Sequence, residues 1–234
     1  MPAATERGRR GRHSRNPRIV AVDNTNEGAG SQPRVRMSGK QRREQLIGVA
    51  RELFAEKGYE SVSVEEIAAH AKVSKPVVYE HFGGKEGIYA VIVDREMQEL
   101  LNRVTTSLTG DHPRQLLEQA GMALFSYIDD ETDGFRILVR DSPVSVSTGN
   151  FASVILDVAA QVDHILDREF KKRDYNTKNS EMYAQMLVGM VALTGQWWLD
   201  ARKPKKEQVV AHVVNLAWNG LSHLDPKPAL HESD

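Results

Sequence analysis

Residues 63–89 read SVEEIAAHAKVSKPVVYEHFGGKEGIY, and this stretch decides the fold. It contains the starting signals of two short helices. Ser63 is followed three residues later by Glu66, which is the spacing of a capping box, and this predicts a helix that runs to about Ala71. Ser74 opens a second helix after a turn of only a few residues. We therefore expect two short helices joined by a tight turn.

The second helix contains a proline, which helix interiors normally exclude. Pro76 lies in the first turn, where backbone N–H groups have no helical partner, so the missing donor costs little. Because proline has no N–H to offer, we expect the Ser74 hydroxyl to accept the N–H of Val77 instead. The glycines at 83–84 end this helix.

Two short helices joined in this way form a helix-turn-helix, in which one helix supports a second whose outer face is free. The predicted inward positions are apolar or small: Ile67, Ala68, Ala71, Val73, Val78 and Phe82. The predicted outward positions of the second helix are Lys75, Pro76, Val77, Tyr79, Glu80 and His81. A face of this kind, presented by a helix N-terminus, suits the major groove of DNA.

Specific roles follow for the residues of this face. We expect Lys75 to donate to guanine acceptors or to a phosphate, and Pro76 and Val77 to lie against thymine methyl groups. Other donors would hold the phosphate backbone. The complete predicted DNA-binding set is Ser63, Ser74, Lys75, Pro76, Val77, Tyr79, His81, Lys85 and Arg36. Because so few contacts give modest affinity, we expect a second copy of the helix about 34–36 Å away along the duplex.

Outside this stretch, apolar residues recur three and four positions apart, and no alternating strand pattern competes. A first helix begins at Ser38, with Gln41 as its capping-box partner, and ends at Gly58. Glycine permits a left-handed conformation there, which would let Tyr59 fold back against Phe54. Further helices are predicted over 85–108, 113–129, 133–141, 151–171, 179–201 and 205–222. The predicted fold is therefore all-α, with about nine helices.

Composition divides the chain into segments. Residues 1–36 carry eight arginines against three acidic residues and lack helical periodicity, so they are predicted to be a disordered basic arm. The other predicted segments are a DNA-binding domain at 37–84, a helical ligand-binding and dimerisation domain at 85–224, and a flexible tail at 225–234. The arm is either a disordered segment without a binding role or a segment whose Arg34 and Arg36 reach the minor groove beside the site of the helix-turn-helix.

Several classes of protein are disfavoured by the composition. The chain has no cysteine, which excludes disulfides and thiolate metal sites and fits a reducing compartment. It has no apolar run of about 18 residues that could span a membrane, and its start lacks the apolar core of a secretory signal. The histidines are scattered, and no pairing of nucleophile and base is visible. We expect a cytoplasmic protein that is not an enzyme and needs no metal or other cofactor.

Residues 63–89 resemble the N-terminal domain of the TetR family of bacterial transcriptional regulators, and the resemblance extends over residues 40–90. It rests on Ser63, Ile67-Ala68, Val73-Ser74, Tyr79, His81-Phe82 and Lys85-Glu86. Lys72 departs from the pattern, because the family commonly has glycine there, and a positive φ at lysine costs about 1 kcal/mol. The resemblance implies a homodimer of about nine helices whose C-terminal domain dimerises and often holds a small inducer.

The C-terminal helices support that expectation independently. Residues 183–198 are apolar nearly all round, as in a helix that packs on two sides, and with the last helix they would form a four-helix dimer interface. The predicted residues for a small apolar or aromatic ligand are Phe125, Tyr127, Tyr183, Met190, Trp197 and Trp198, and Phe135 and Trp218 are further aromatic candidates. Core packing is the alternative use of such side chains. Because close neighbours on a helix diverge, Trp197 and Trp198 cannot face one cavity, and neither can Phe125 and Tyr127.

Together these features predict a sequence-specific, ligand-responsive repressor that binds a pseudo-palindromic operator as a dimer. In this interpretation the inducer favours a conformation in which the fourth helix, at 85–108, swings. The second helix of the helix-turn-helix in each subunit then no longer matches its major groove. Two alternatives stay open. One is a constitutive DNA-binding protein without an inducer, and the other is a helical carrier or enzyme that uses a C-terminal cavity.

Overall fold

The computed structural model describes residues 37–140 and 151–230, except for the side chains of 151–154. Over these residues the chain is all-helical, as predicted. The helices are α1 (Gly39–Lys57), α2 (Val64–His70), α3 (Lys75–Phe82), α4 (Lys85–Ser107), α5 (Pro113–Asp130), α6 (Thr132–Val139), α7 (Phe151–Lys172), α8 (Ser180–Ala201) and α9 (Lys206–Ser222). A short 3-10 turn at Thr177–Asn179 precedes α8. The predicted arm at 1–36 and the last four residues lie outside the described part.

Helix α1 is delimited by the residues that the sequence indicated. The Ser38 hydroxyl accepts the Gln41 N–H at 3.2 Å, and the Gln41 side chain accepts the Ser38 N–H at 2.9 Å, which completes the capping box. Gly58 ends the helix with φ of 79° and ψ of 163°, so φ is positive as expected but ψ is extended rather than left-handed helical. The chain still folds back, and the ring of Tyr59 stacks on that of Phe54 with 5.9 Å between centroids.

Of the two caps predicted in the helix-turn-helix, the one at Ser63 is half formed and the one at Ser74 is wrong. The Ser63 hydroxyl accepts the Glu66 N–H at 3.1 Å, but the Glu66 carboxylate pairs with Lys57 and does not complete a capping box. A charged ammonium is a stronger partner than a backbone N–H. The Ser74 side chain makes no cap hydrogen bond, and the Val77 N–H bonds to the Ser74 carbonyl at 3.1 Å. The backbone therefore supplies the bond that was expected from the hydroxyl.

Lys72 occupies the turn between α2 and α3 with φ of 55°, a conformation that favours glycine. Replacing Lys72 by glycine should therefore raise the free energy of unfolding by about 0.5–1 kcal/mol, because relief of the Cβ clash exceeds the entropy that glycine adds to the unfolded chain. Urea denaturation measures the change. The control is Lys40→Gly in α1, where the same substitution should lower stability or leave it unchanged. Loss of stability at Lys72 would contradict the strain.

A continuous core joins the helix-turn-helix to the other helices. Ile67, Ala68, Ala71 and Val78 are buried in it as predicted, and Val73 and Phe82 pack against it while partly buried. Helix α1 packs against α4 and α6. Arg140, directly after α6, donates to the carbonyl oxygens of Phe54 at 3.3 Å and Ala55 at 2.7 Å, and so satisfies two groups at the end of α1. Helix α1, together with α4, thus links α2 and α3 to the C-terminal helices.

The C-terminal helices pack mainly around α5 and α8. Among the described residues, α7 and α8 form the most extensive helix pair, and α5 packs against α4, α9 and α8. A second, smaller apolar cluster lies between α7, α8 and α9 and consists of Leu166, Phe170, Ala184, Leu187 and Ala217. No helix in the described part of the chain combines the length and the apolar character needed to cross a bilayer.

Candidate nucleic-acid interface and ligand cavity

The outer face of α3 is open to solvent. Its exposed residues are Lys75, Pro76, Tyr79 and Glu80, and Tyr79 is 54% exposed. Val77 and His81 are only partly exposed, because they lie at the border between this face and the core. The structure therefore brings the predicted α3 residues to one surface, with Val77 and His81 at its edge.

Two side chains of α1 hold the ends of the DNA-facing helices, and the sequence analysis missed both. Arg43 donates to the His81 carbonyl at 2.9 Å, and its guanidinium lies 4.3 Å from the centroid of the Phe82 ring. Gln45 donates to the Ala71 carbonyl at 3.2 Å. These bonds satisfy carbonyl groups at the ends of α3 and α2 and fix both helices against α1. The only signal in the sequence was a pair of polar residues beside the apolar stripe of α1.

Lys75 is not a free cation. Its ammonium pairs with Glu65 of α2, and both side chains are more than half exposed. The hydrogen bond from Lys75 lowers the pKa of Glu65, so the carboxylate is charged at neutral pH and the pair is formed. Because exposed ion pairs contribute little to stability, DNA can compete for Lys75. Any contact of Lys75 with a base or phosphate requires this exchange.

The other residues predicted to contact DNA differ in whether their side chains already make bonds within the protein. Lys85 donates to the Tyr59 carbonyl at 3.0 Å and lies 4.2 Å from the centroid of that tyrosine ring, so it joins α4 to the loop after α1. Ser63 is exposed and caps α2, whereas Ser74 is exposed and caps nothing. Arg36 lies outside the described residues. Their contacts with DNA stay predictions.

Two adjoining apolar cavities lie among the C-terminal helices. Their volumes are about 90 Å³ and about 80 Å³. The residues that line both come from α4, α5, α7 and α8: Val104, Leu117, Ala120, Val158, Val162 and Leu187. In the described residues, charged side chains line only the first cavity, where Glu169 and Arg173 lie near the end of α7. The lining suits an apolar molecule with one polar end.

None of the six predicted ligand residues lines either cavity as the described residues define it. Phe125 and Tyr127 are fully buried, and Phe125 packs against Trp198 with 5.4 Å between centroids. Trp197 is 54% exposed and Trp198 3%, so these two neighbours diverge as predicted. The described side chains that line the second cavity are all aliphatic, whereas three rings line part of the first: Phe170, Tyr175 and Trp218.

An exposed apolar stripe runs along α8 and reaches α9. The α8–α9 stripe consists of Met182, Met186, Leu193, Trp197 and Leu216. Tyr183 and Met190, two of the predicted ligand residues, line a shallow groove between the two helices, and Gly220 borders it with open space beside its Cα. The opposite side of α8 packs into the core through Leu187 and Leu199. Helix α8 therefore has one apolar face in its own core and another in solvent.

A buried network joins α1 to α4 and α5. Arg51 Nε donates to Glu96 at 2.6 Å, and Arg51 Nη2 donates to Glu131 at 2.7 Å. The Tyr127 hydroxyl donates to the same Glu96 carboxylate at 2.6 Å, and burial raises the pKa of Tyr127, so the proton is retained. Burial lowers the pKa of Arg51, but its hydrogen bond to Glu96 and the charges of Glu96 and Glu131 outweigh that effect and raise it. The network lies one helical turn from cavity residues Leu100 and Leu124.

Two family models match the chain. The model described as bacterial regulatory proteins, tetR family, matches residues 46–92, which extend from α1 into α4. The model described as tetracyclin repressor-like, C-terminal domain, matches residues 113–220, which extend from the start of α5 into α9. The two matches therefore cover the helix-turn-helix and α5 to α8 with most of α9, whereas the part of α4 that lines the cavities lies between them.

Relatives agree with these models. The HTH-type transcriptional activator FasR of Mycolicibacterium smegmatis is 31% identical over 191 residues, which are 81% of this chain and 87% of that protein. YuxN of Bacillus subtilis, an uncharacterized HTH-type transcriptional regulator, is 33% identical over 202 residues, with 81% and 67% covered. A TetR-like regulator from Rhodococcus sp. RHA1 superposes with a TM-score of 0.68 at 22% identity, over 80% of this chain and 99% of that one. The fatty acid degradation regulator FadR from Bacillus halodurans superposes with a TM-score of 0.64 at 18% identity, over 78% of this chain and 97% of that one. At such identities the two structures show the fold alone.

Proposed function

Since this chain belongs to the tetR family of bacterial regulatory proteins and is a DNA-binding transcriptional regulator, we propose that it binds a pseudo-palindromic operator in the cytoplasm as a homodimer. The outer face of α3 carries the proposal. This face exposes Lys75, Pro76 and Tyr79, while Arg43 and Gln45 hold the helix ends from α1. A rigidly held helix with a free N-terminal face is what recognition in the major groove requires.

The dimer would form through the α8–α9 stripe. Large apolar side chains that lie together in solvent mark interaction surfaces, and a two-fold axis would place the stripe of one subunit against that of its partner. The groove beside Gly220 offers room for a partner side chain. Such a pairing would hold two copies of α3 about 34–36 Å apart, which matches successive major grooves.

Substitutions on α3 test the DNA-binding proposal. Lys75→Ala should relax base preference at one or two operator positions and weaken the best site by about tenfold, because a base contact is lost. Tyr79→Phe should weaken binding to all DNA sequences alike, because the hydroxyl is proposed to donate to a phosphate. Selection from a random duplex library gives the preference, and fluorescence anisotropy gives the affinity.

The lysine variant needs its own control, because it leaves Glu65 without its partner. The double variant Glu65→Gln, Lys75→Ala removes that unpaired charge. If the double variant regains the original base preference, the loss came from the free carboxylate. If Lys75→Ala weakens every sequence equally, Lys75 contacts the phosphate backbone instead of a base.

We further propose that an elongated apolar molecule, such as a fatty acyl chain, occupies the two adjoining cavities and regulates DNA binding. The apolar lining and the charged end at Glu169 and Arg173 support this class of ligand. A protein of the same fold is named a regulator of fatty acid degradation. Helix α4 lines the cavities through Val104 and carries Lys85 at its other end, so a ligand that favours a shifted α4 would also shift the DNA-facing helices.

Saturated fatty acids of increasing chain length should raise the melting temperature progressively, because longer chains bury more apolar surface. At about 100 times the dissociation constant the rise should be roughly 5–10 °C. Differential scanning fluorimetry measures it. Ala120→Trp, which places a ring where the two cavities meet, should remove the response. Absence of a response at every chain length would favour the constitutive regulator.

We propose repression as the mode of regulation, since a dimer that covers consecutive turns of a promoter excludes other proteins from it. The M. smegmatis relative is named an activator, so the opposite sign has a precedent. A reporter fused to the selected operator distinguishes them. Expression should rise when the gene for this protein is deleted, and a fall would identify an activator.

A further inference from the structure

Glu80 is the residue of the α3 outer face that the proposed function leaves without a role. It is exposed and lies in the last turn of the helix, two residues before the helix ends at Phe82. Its carboxylate has no hydrogen bond or ion pair with any residue of 37–140 or of the described side chains in 155–230. Glu65 and Glu66, the acidic residues of α2, both have a lysine partner. Within the described part of the chain, Glu80 is therefore an unpaired carboxylate on the surface that is proposed to face DNA.

Its position on the helix places it among the base-facing residues. Glu80 follows Pro76 by four residues and Val77 by three, so it lies one helical turn further along the same side. Lys75 and Tyr79 lie on the other flank of the exposed arc. A recognition helix that enters the groove with Pro76 and Val77 therefore carries Glu80 in as well.

Electrostatics make such a residue unfavourable unless it has a specific partner. Residues 37–86 carry eight basic and eight acidic residues, so the module has no excess positive charge to offset another anion. Lys75, the cation at the start of α3, is already paired with Glu65. A carboxylate between the two phosphate backbones weakens binding to every sequence, except where a base edge donates a hydrogen bond to it.

We propose that Glu80 reads a cytosine in each half-site of the operator. An ionised carboxylate only accepts hydrogen bonds, and guanine presents only acceptors in the major groove. Thymine presents an acceptor and a methyl group, and the N6 donor of adenine lies beside the N7 acceptor. Cytosine presents its N4 donor without an acceptor next to it on the same base, so it is the preferred partner. The inference rests on the proposed function, because it needs α3 in the major groove.

The test is a selection from a random duplex library with the full chain, followed by affinity measurements on the selected site and its single-base variants. The wild type should enrich a C·G pair at one position of each half-site. Glu80→Ala should lower the preference for that pair by about tenfold or more. Glu80→Gln should move the preference toward adenine, because an amide can both accept from N6 and donate to N7. Glu80 is exposed and unpaired, so these variants should fold like the wild type.

The matched control is Glu86→Gln, which makes the same charge change in the first turn of α4 and should keep the cytosine preference. Retained cytosine preference in Glu80→Ala, or an equal gain of affinity for all sequences, would overturn the proposal. The proposal would also be overturned if the wild type selected an operator in which no cytosine preference depends on Glu80. The proposed function would survive that result. A wild type that enriches no sequence would remove the proposed function and this inference together.

Discussion

Replacing Leu216 by glutamate should convert the proposed dimer into monomers and lower operator affinity by about 100-fold or more, because the two half-sites are then bound independently. Leu216 is 67% exposed at the α9 end of the α8–α9 stripe. In a two-fold dimer each substitution buries a carboxylate without a partner, and the symmetry introduces it twice. Sedimentation velocity measures the mass, and fluorescence anisotropy measures the affinity.

The control for this prediction is Leu230→Glu. Leu230 is 95% exposed in the segment after α9, outside the stripe, so the same charge change there should leave the dimer intact. Because Leu216 contributes little to the core of its own subunit, the monomer should keep its helical content and its cavities. A Leu216→Glu protein that sediments as a dimer would move the interface to another surface.

Replacing Arg51 by alanine should lower the free energy of unfolding by about 2–3 kcal/mol, because it leaves a buried carboxylate without its cation. Only 11% of the Glu96 side chain is exposed, and 24% of the Arg51 side chain. After the substitution Tyr127 is the remaining side-chain donor to Glu96 among the described residues. Urea denaturation measures the loss. Operator affinity should fall as well, since α1 also carries the residues that hold α2 and α3.

Arg95→Ala is the matched control. Arg95 makes two hydrogen bonds to Glu44, at 2.7 and 2.8 Å, but both side chains are more than 40% exposed. Its removal should cost less than about 1 kcal/mol. The double variant Arg51→Ala, Glu96→Gln should recover part of the lost stability, because it removes the unpaired charge. Equal losses for Arg51→Ala and Arg95→Ala would show that burial does not decide the strength of the network.

The helices could be predicted because their signals are local. Ser38 with Gln41, Pro76 in a first turn and the glycines at 83–84 each act within a few residues. Helix α1 begins, α3 begins and ends, and α4 begins where those signals lie. The apolar spacing in the C-terminal half located α5 to α9 in the same way. The divergence of Trp197 from Trp198 also followed from helix geometry alone.

The cavity could not be predicted, because it depends on how five helices fit together. Large aromatic residues were the natural candidates for a ligand site, yet Phe125 and Tyr127 fill the core completely. The space lies beside Val104, Ala120 and Val158, which come from three different helices, and of the aromatic candidates only Trp218 lines it in the described part of the chain. A cavity is the volume that packed side chains leave unfilled. The spacing of apolar residues along the sequence does not specify that volume.

By itself the sequence determined where helices start and stop, which side of each is apolar, and which face of α3 is free, because these properties depend on neighbours three or four residues away. Only the tertiary structure decided which polar groups meet. Lys75 pairs with Glu65, Arg43 with the His81 carbonyl, and Arg51 with Glu96, and the partners in these pairs are 10, 38 and 45 residues apart. Each polar group had many possible partners along the chain, and the packing of the helices decided which of them lie within reach.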